Sequence, residues 1–360
     1  MSEWIPLSRP NITEEDRRAV AQVLLTDTLS RGPSLARFEH DFATYLGVRQ
    51  AVAVSSGTQA LVLALRALNL GPGMRVALPS FTFAAVINAV WSVGATPLLV
   101  DNDLETWNMR LDGLDGRADA VIAVHNFGLP LDMRLLNGLS LDVIEDACEA
   151  LGAHHNSLLA GTRGRCGVFG FYPNKPLTTG EGGMFVTSEA ELASRVRCLV
   201  NQGRDPAGGW LDQVDWGYSC RMSEMQASLG QSQLTCLDSR LAQRRDVACQ
   251  YRQLLEGDSR FGLPPTADYL ACSWFTFPVL LTRHDRDQVA DELWQLGIQT
   301  GRYFPPLHQQ PVFRKYGGEQ LGTLHVSEQM GRTCLCLPLY PDLRHDQVKR
   351  VVEALHHACK

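Results

Sequence analysis

Apolar positions recur along this chain with two alternating periods. Residues 13–25 open with Thr13-Glu14-Glu15 and carry Ala19, Val20, Val23 and Leu24 at helical spacing, which predicts a capped amphipathic helix. Leu35, Phe38, Phe42 and Leu46 fall on one face of a second helix over 34–46. Short apolar runs then predict strands at 51–54, 76–78, 96–100, 120–124, 142–144, 167–171 and 183–187, with helices at 61–68 and 84–93 among the first of them. Strands alternating with helices form a largely parallel sheet covered on both faces. After residue 190 the pattern changes. Leu229 to Leu255 reads as one long helix, followed by a strand at 274–281, a helix at 286–296, a strand at 334–337 and a closing helix at 345–357. The expected architecture is α/β: a three-layer large domain over 1–240, with helices on both faces of a mostly parallel sheet, and a smaller C-terminal α+β domain over 241–360.

Composition narrows the partners. The chain has 360 residues, 45% apolar and 20% charged, an ordinary globular balance with length for two domains. A formal charge of −6 and the absence of a basic stripe argue against nucleic acid or an acidic membrane surface, because phosphate-rich partners need one. Arg244-Arg245 and Lys349-Arg350 read as solvated helix faces. Ten cysteines include no pair at metal-ligand spacing, and Cys334 and Cys336 flank Leu335 as same-side residues of a buried strand. Reduced thiols and no metal are expected. Met1-Ser2-Glu3-Trp4-Ile5-Pro6 lacks a basic segment followed by an apolar one, and no apolar run approaches the ~20 residues of a membrane helix. The expected location is the cytoplasm.

Ligands of parallel sheets gather beyond the carboxyl ends of the strands, and four segments fall there. Ser55-Ser56-Gly57-Thr58 lies between the 51–54 strand and a helix. It reads either as a Ser/Thr helix cap or as an anion site, where free N–H groups and a hydroxyl meet a phosphate. Pro79-Ser80-Phe81-Thr82-Phe83 offers an aromatic that is either core or a stacking partner for a flat ring. Ile144-Glu145-Asp146-Ala147-Cys148-Glu149 ends an apolar strand in carboxylates. A buried carboxylate needs a partner: a protonated pyridinium nitrogen, a metal or an arginine. Gly170-Phe171-Tyr172-Pro173-Asn174-Lys175 precedes Pro176-Leu177-Thr178-Thr179-Gly180-Glu181-Gly182-Gly183. Lysine is usually a solvated surface group. In an apolar pocket at a strand end it serves as amine nucleophile and base.

Taken together these segments resemble the DegT/DnrJ/StrS-type sugar aminotransferases, of the aspartate-aminotransferase fold type (pyridoxal-phosphate fold type I). The resemblance runs from Ile5-Pro6-Leu7-Ser8-Arg9-Pro10 through His125-Asn126-Phe127-Gly128, the Lys175 loop, Arg221-Met222-Ser223-Glu224 and Pro306-Leu307-His308 to Leu337-Pro338-Leu339-Tyr340-Pro341. It implies pyridoxal 5'-phosphate as cofactor, with Lys175 as the Schiff-base lysine and Asp146 on the ring nitrogen. Phe83 would stack on the ring, Ser56, Gly57 and Thr58 hold the phosphate, and Glu149 face the ring hydroxyl. Relatives usually carry Gln or His at the position of Glu149, Ser at Gly170 and Asn at Ser219, the last reaching the phosphate of a neighbouring subunit. The resemblance further implies a homodimer, a glutamate or glutamine donor and a nucleotide-linked keto-sugar acceptor, with Glu181, Tyr303 and His308 as substrate candidates. A keto-cyclitol is the alternative acceptor. A dehydratase branch of the same family carries His at the lysine position, and Lys175 argues against it. A non-catalytic regulator would call for a helix-turn-helix or a basic patch, and neither is evident.

Overall fold

The computed structural model describes residues 3–205, 208–209 and 211–360. Its centre is an eight-stranded sheet in the order Gln50–Val54, Gly183–Thr187, Cys166–Gly170, Asp142–Asp146, Ala120–Val124, Arg75–Pro79, Thr96–Val100 and Glu319–Gln320. All neighbours pair in parallel except Gly183–Thr187, which runs antiparallel to both of its partners. The expected mixed α/β sheet with helices on its faces is therefore present. Strands such as Ala120–Val124 are buried along their whole length, which is why they read as unbroken apolar runs rather than alternations.

The helices follow their local chemistry. Thr13 caps Glu14–Val23 in a reciprocal box with Asp16. Pro33 opens Pro33–Leu46, and Gly47, at φ 69°, closes it. The single helix expected over 229–255 is two, Glu224–Thr235 and Leu237–Leu255, meeting at Cys236. The side chains explain the break. Arg240 Nη1 donates to the Gln233 carbonyl at 2.9 Å, and Gln233 Nε2 donates to Asp16 and to Asn11 O. The junction is thus anchored to the N-terminal segment instead of continuing straight.

Beyond it, Phe261–Gly262, Phe277–Leu281 and Cys334–Leu337 form a three-stranded antiparallel sheet. Helices Arg286–Gln295 and His345–Ala358 pack on it. Its strand begins at Phe277, not Trp274, because Trp274 sits at φ 54°, outside the extended region. Ile5 belongs to this second core and exchanges backbone bonds with Gly297 and Gln299. The C-terminal part is tied back to the large sheet at several places, two of them along or just after the strand Thr96–Val100. Asp101 accepts the N–H groups of Val326 and Ser327 at the start of His325–Thr333, and Glu319–Gln320 pairs with Leu98 and Leu99. All ten cysteines are free.

Candidate active site

The segments that follow Gln50–Val54, Arg75–Pro79, Asp142–Asp146 and Cys166–Gly170 each deliver one part of a cavity of about 390 Å³. Helix Gly57–Ala67 starts there. Ser56 caps it, its Oγ accepting the Gln59 N–H at 3.1 Å, and the first-turn residues Gly57 and Thr58 line the cavity, where helix amides lack intrahelical acceptors. Glycine at 57 is set by space. A Cβ there would lie 2.8 Å from Cys148 Sγ and 3.1 Å from Gly170 Cα.

Asp146 ends its strand facing the same cavity and is buried. One of its oxygens accepts the Cys148 N–H at 3.0 Å. Among the described residues no basic side chain pairs with it, so the arginine alternative is not realised, and no cluster of three metal-ligating side chains occurs. The adjacent Glu145 points the other way. It accepts His125 Nε2 and the backbone N–H groups of Gly161, Arg163 and Gly164. Burial pushes its carboxyl up, but His125 and the amides outweigh that and hold it below the ordinary range.

Lys175 enters from the turn after Cys166–Gly170, and its side chain is only 14% exposed. Its Nζ lies 3.5 Å from Glu149 Oε1 and 3.9 Å from the centre of the Phe275 ring. Glu149 Oε2 accepts the Phe127 N–H at 2.9 Å. Burial raises the Glu149 carboxyl, opposed by Lys175 and the Phe127 amide and reinforced by Asp146. Phe275, Tyr303 and Phe304 form an aromatic wall, with Tyr303 and Phe304 stacked at 5.1 Å. Burial pushes the Tyr303 phenol up to about 12.

Of the residues expected from sequence, Ser56, Gly57, Thr58, Phe83, Asp146, Glu149, Lys175, Glu181 and Tyr303 line this one cavity. Phe83 is 60% exposed beside fully buried Phe81, so it is the second aromatic of its segment, not the first, that is free to meet a ligand. His308 is not part of the lining. Its Nδ1 bonds Ser80 Oγ at 2.7 Å and its Nε2 bonds Glu328 at 3.2 Å, which makes it a brace between two segments. Ser219 is exposed outside its own chain's cavity and accepts from Arg221 at 2.8 Å. Cys148 and Asn174, from two of the segments singled out in the sequence, also line the cavity. So do Phe275 and Phe304, which nothing in their local sequence marks and which are found only once segments distant in sequence are brought together.

These residues fit pyridoxal phosphate. The cavity holds an enclosed amine, a buried carboxylate, a helix N-terminus for an anion and an exposed aromatic; among the described residues that carboxylate has no cationic partner, and the buried Asn174 Oδ1 has no hydrogen-bond partner. The fold is that of the type I pyridoxal-phosphate aminotransferases. A match to the DegT/DnrJ/EryC1/StrS aminotransferase family spans residues 10–356, and the chain belongs to that family. It is 36% identical over 368 residues to a GDP-perosamine synthase of Caulobacter vibrioides, covering 98% of this chain and 97% of that one. It is 37% identical over 353 residues to a dTDP-3-amino-3,4,6-trideoxy-alpha-D-glucose transaminase of Streptomyces venezuelae, covering 95% and 91%. A Streptococcus pneumoniae protein solved in its PLP-form superposes with a TM-score of 0.92 at 25% identity, covering 99% of this chain and 98% of that one. The chain is a pyridoxal-phosphate-dependent aminotransferase.

Proposed function

We propose that this aminotransferase moves an amino group from glutamate or glutamine to a keto-sugar carried on a nucleotide, as a cytoplasmic homodimer. The carrying observation is the convergence of Lys175, Asp146 and the Gly57–Thr58 helix turn in one cavity of a chain whose relatives are named for GDP- and dTDP-linked amino sugars. When bound, pyridoxal phosphate supplies an aldehyde carbon for the Lys175 amine and a ring that takes up the electron pair left by a departing proton. The Lys175 amine would serve as the base that takes and returns that proton. Asp146 keeps the ring nitrogen protonated, and its burial without another cation supports that role. Ser56, Gly57 and Thr58, at the helix N-terminus, would hold the phosphate, and Phe83 would meet the ring. Phe275 and Phe304 keep water from the lysine. Glu181 and Tyr303, both on the cavity wall, face the sugar. Ser219, exposed and outside its own cavity, reaches the phosphate held by the other subunit.

The division of the chain at residue 240, inside helix Leu237–Leu255, remains part of this proposal. It is supported by the separate antiparallel sheet that follows. Among the described residues no helix is long and apolar enough to cross a membrane, and free cysteines support a reducing compartment.

The test is a panel of GDP-, dTDP- and UDP-linked keto-sugars incubated with enzyme and each donor, read by mass spectrometry for an aminated product. Lys175→Ala is expected to give no product and no cofactor-linked visible absorbance, with an unchanged circular dichroism spectrum. Amination of free keto-cyclitols and of none of the nucleotide sugars would overturn the substrate assignment. Normal turnover by Lys175→Ala would overturn the mechanism.

A further inference from the structure

Two acids and one amine share the floor of the cavity. Asp146 and Glu149 lie on the same turn and are both buried, and Lys175 comes from the turn after the neighbouring strand. Only Glu149 is within ion-pair reach of the lysine among the described residues, at 3.5 Å. Its carboxyl is not free to swing away. The second oxygen is held by the N–H of Phe127 at 2.9 Å. Phe127 is itself fixed: fully buried, at φ 58°, with its ring stacked on Phe304 at 5.5 Å.

We infer that Glu149 fixes the protonation of the Lys175 amine, the two sharing one proton across this contact. The inference rests on the proposed role of Lys175 and deepens it. The groups facing Glu149 are Asp146 and Cys148 from its own turn, Lys175 from the neighbouring turn, Tyr303 from the aromatic wall and Cys336 from the small sheet. Of these only Lys175 has a cationic form. Burial and the Asp146 charge raise the Glu149 carboxyl, while the ammonium and the Phe127 amide lower it. When the proton passes from the Lys175 ammonium to the Glu149 carboxylate, an ion pair becomes an acid and an amine. No net charge enters or leaves the cavity. The lysine thus gains its nucleophilic form beside a group ready to return the proton. Asp146 stays apart, one oxygen bound to the Cys148 amide.

The sequence offers an unusually clean probe. Lysine occurs only at positions 175, 315, 349 and 360. The full-length protein, freed of cofactor, is labelled with acetic anhydride across pH 6–9, and each lysine is quantified by mass spectrometry. In Glu149→Gln the amide oxygen keeps the Phe127 bond but the negative charge is gone. Labelling of Lys175 at pH 7 is expected to rise about tenfold, the effect of removing an opposite charge at this range. Lys315, Lys349 and Lys360 serve as unchanged internal standards. Glu149→Asp retains the charge at greater distance and is expected to fall between. Asp146→Asn is expected to change the rate less than Glu149→Gln does. In the holoenzymes, the pH midpoint of the visible absorption is expected to fall in Glu149→Gln. Equal Lys175 labelling in wild type, Glu149→Gln and Glu149→Asp would overturn the inference, as would a larger effect from Asp146→Asn. Labelling needs no sugar turnover, so failure of the keto-sugar assay leaves this readout intact.

Discussion

Glu145 is the carboxylate next to the active-site aspartate, and replacing it with glutamine tests how that strand end is held. Glu145 is fully buried and accepts four hydrogen bonds, from His125 Nε2 at 3.0 Å and from the amides of Gly161, Arg163 and Gly164 at 2.8, 2.5 and 2.6 Å. Leu131 N–H donates to His125 Nδ1 at 3.0 Å, so the ring proton sits on Nε2 and the tautomer is fixed. An amide has one acceptor end and one donor end. Either way round, its NH₂ faces two donors: Arg163 and Gly164 on one side, or His125 and Gly161 on the other. Breaking a buried charged arrangement of this kind costs about 3–5 kcal/mol. With unfolding entropy near 2.1 cal/mol/K per residue, a chain this long changes by roughly 0.76 kcal/mol/K, so Tm is expected to fall by about 4–7 °C at pH 7. Calorimetry of both proteins saturated with cofactor measures it. The pH dependence follows from the direction of the shift. The folded carboxyl lies below the ordinary range, so its stabilisation is fully present above the unfolded value near 4.3 and is lost as pH falls through the folded value. The Tm gap is therefore expected to be flat from about pH 8 to 6 and to narrow only below about pH 4.3. A gap under about 1 °C at pH 7, or one already shrinking between pH 8 and 6, would refute the reasoning.

Three further outcomes follow from the cavity. Asp146→Asn is expected to retain cofactor but to slow the proton-transfer steps by about a hundredfold or more, about 2.7 kcal/mol in barrier; stopped-flow half-reactions with glutamate check it, and wild-type rates would remove Asp146 from the mechanism. Thr58→Ala is expected to release cofactor on dialysis faster than Ser219→Ala, because Gly170 offers no hydroxyl and in the proposed arrangement the phosphate leans on Thr58; equal retention, or a fully active monomer by sedimentation, contradicts this. Gly57→Ala drives a methyl to 2.8 Å from Cys148 Sγ and is expected to lower cofactor affinity at least about tenfold through the displaced helix turn, with Cys148→Ala in the same chain recovering part of it; strictly additive losses would show that the two sites are not coupled.

Much of this was legible in the residues because the physics was local. Fully buried strands announce themselves as apolar runs, and Thr13 marks a helix start by chemistry that acts within one turn. Glycines, a lysine and carboxylates at strand ends pointed to one cavity because a parallel sheet gathers those ends together. The failures were long-range. Cys236 breaks a helix through Arg240 and Gln233, whose contacts reach back to Asn11 and Asp16. The contacts of both His308 ring nitrogens, to Ser80 and Glu328, likewise join segments far apart in sequence. Phe275 and Phe304 carry no local signal, since an aromatic beside a cavity and one in a core have the same neighbours in sequence. Glu145 and Asp146 are adjacent in sequence, and alternation along the strand sends them to opposite faces.

The outermost strand of the large sheet, Glu319–Gln320 against Leu98 and Leu99, also sets a timetable for synthesis. Its two halves are separated by some 220 residues, so at typical elongation rates roughly 10–40 s pass between their emergence from the ribosome. For that interval the nascent sheet carries a bare edge along Thr96–Val100, open to pairing with other chains. A chain released before residue 319 never covers that edge, so aggregation of prematurely terminated products is expected even though every residue proposed to hold the cofactor within its own subunit has by then been made.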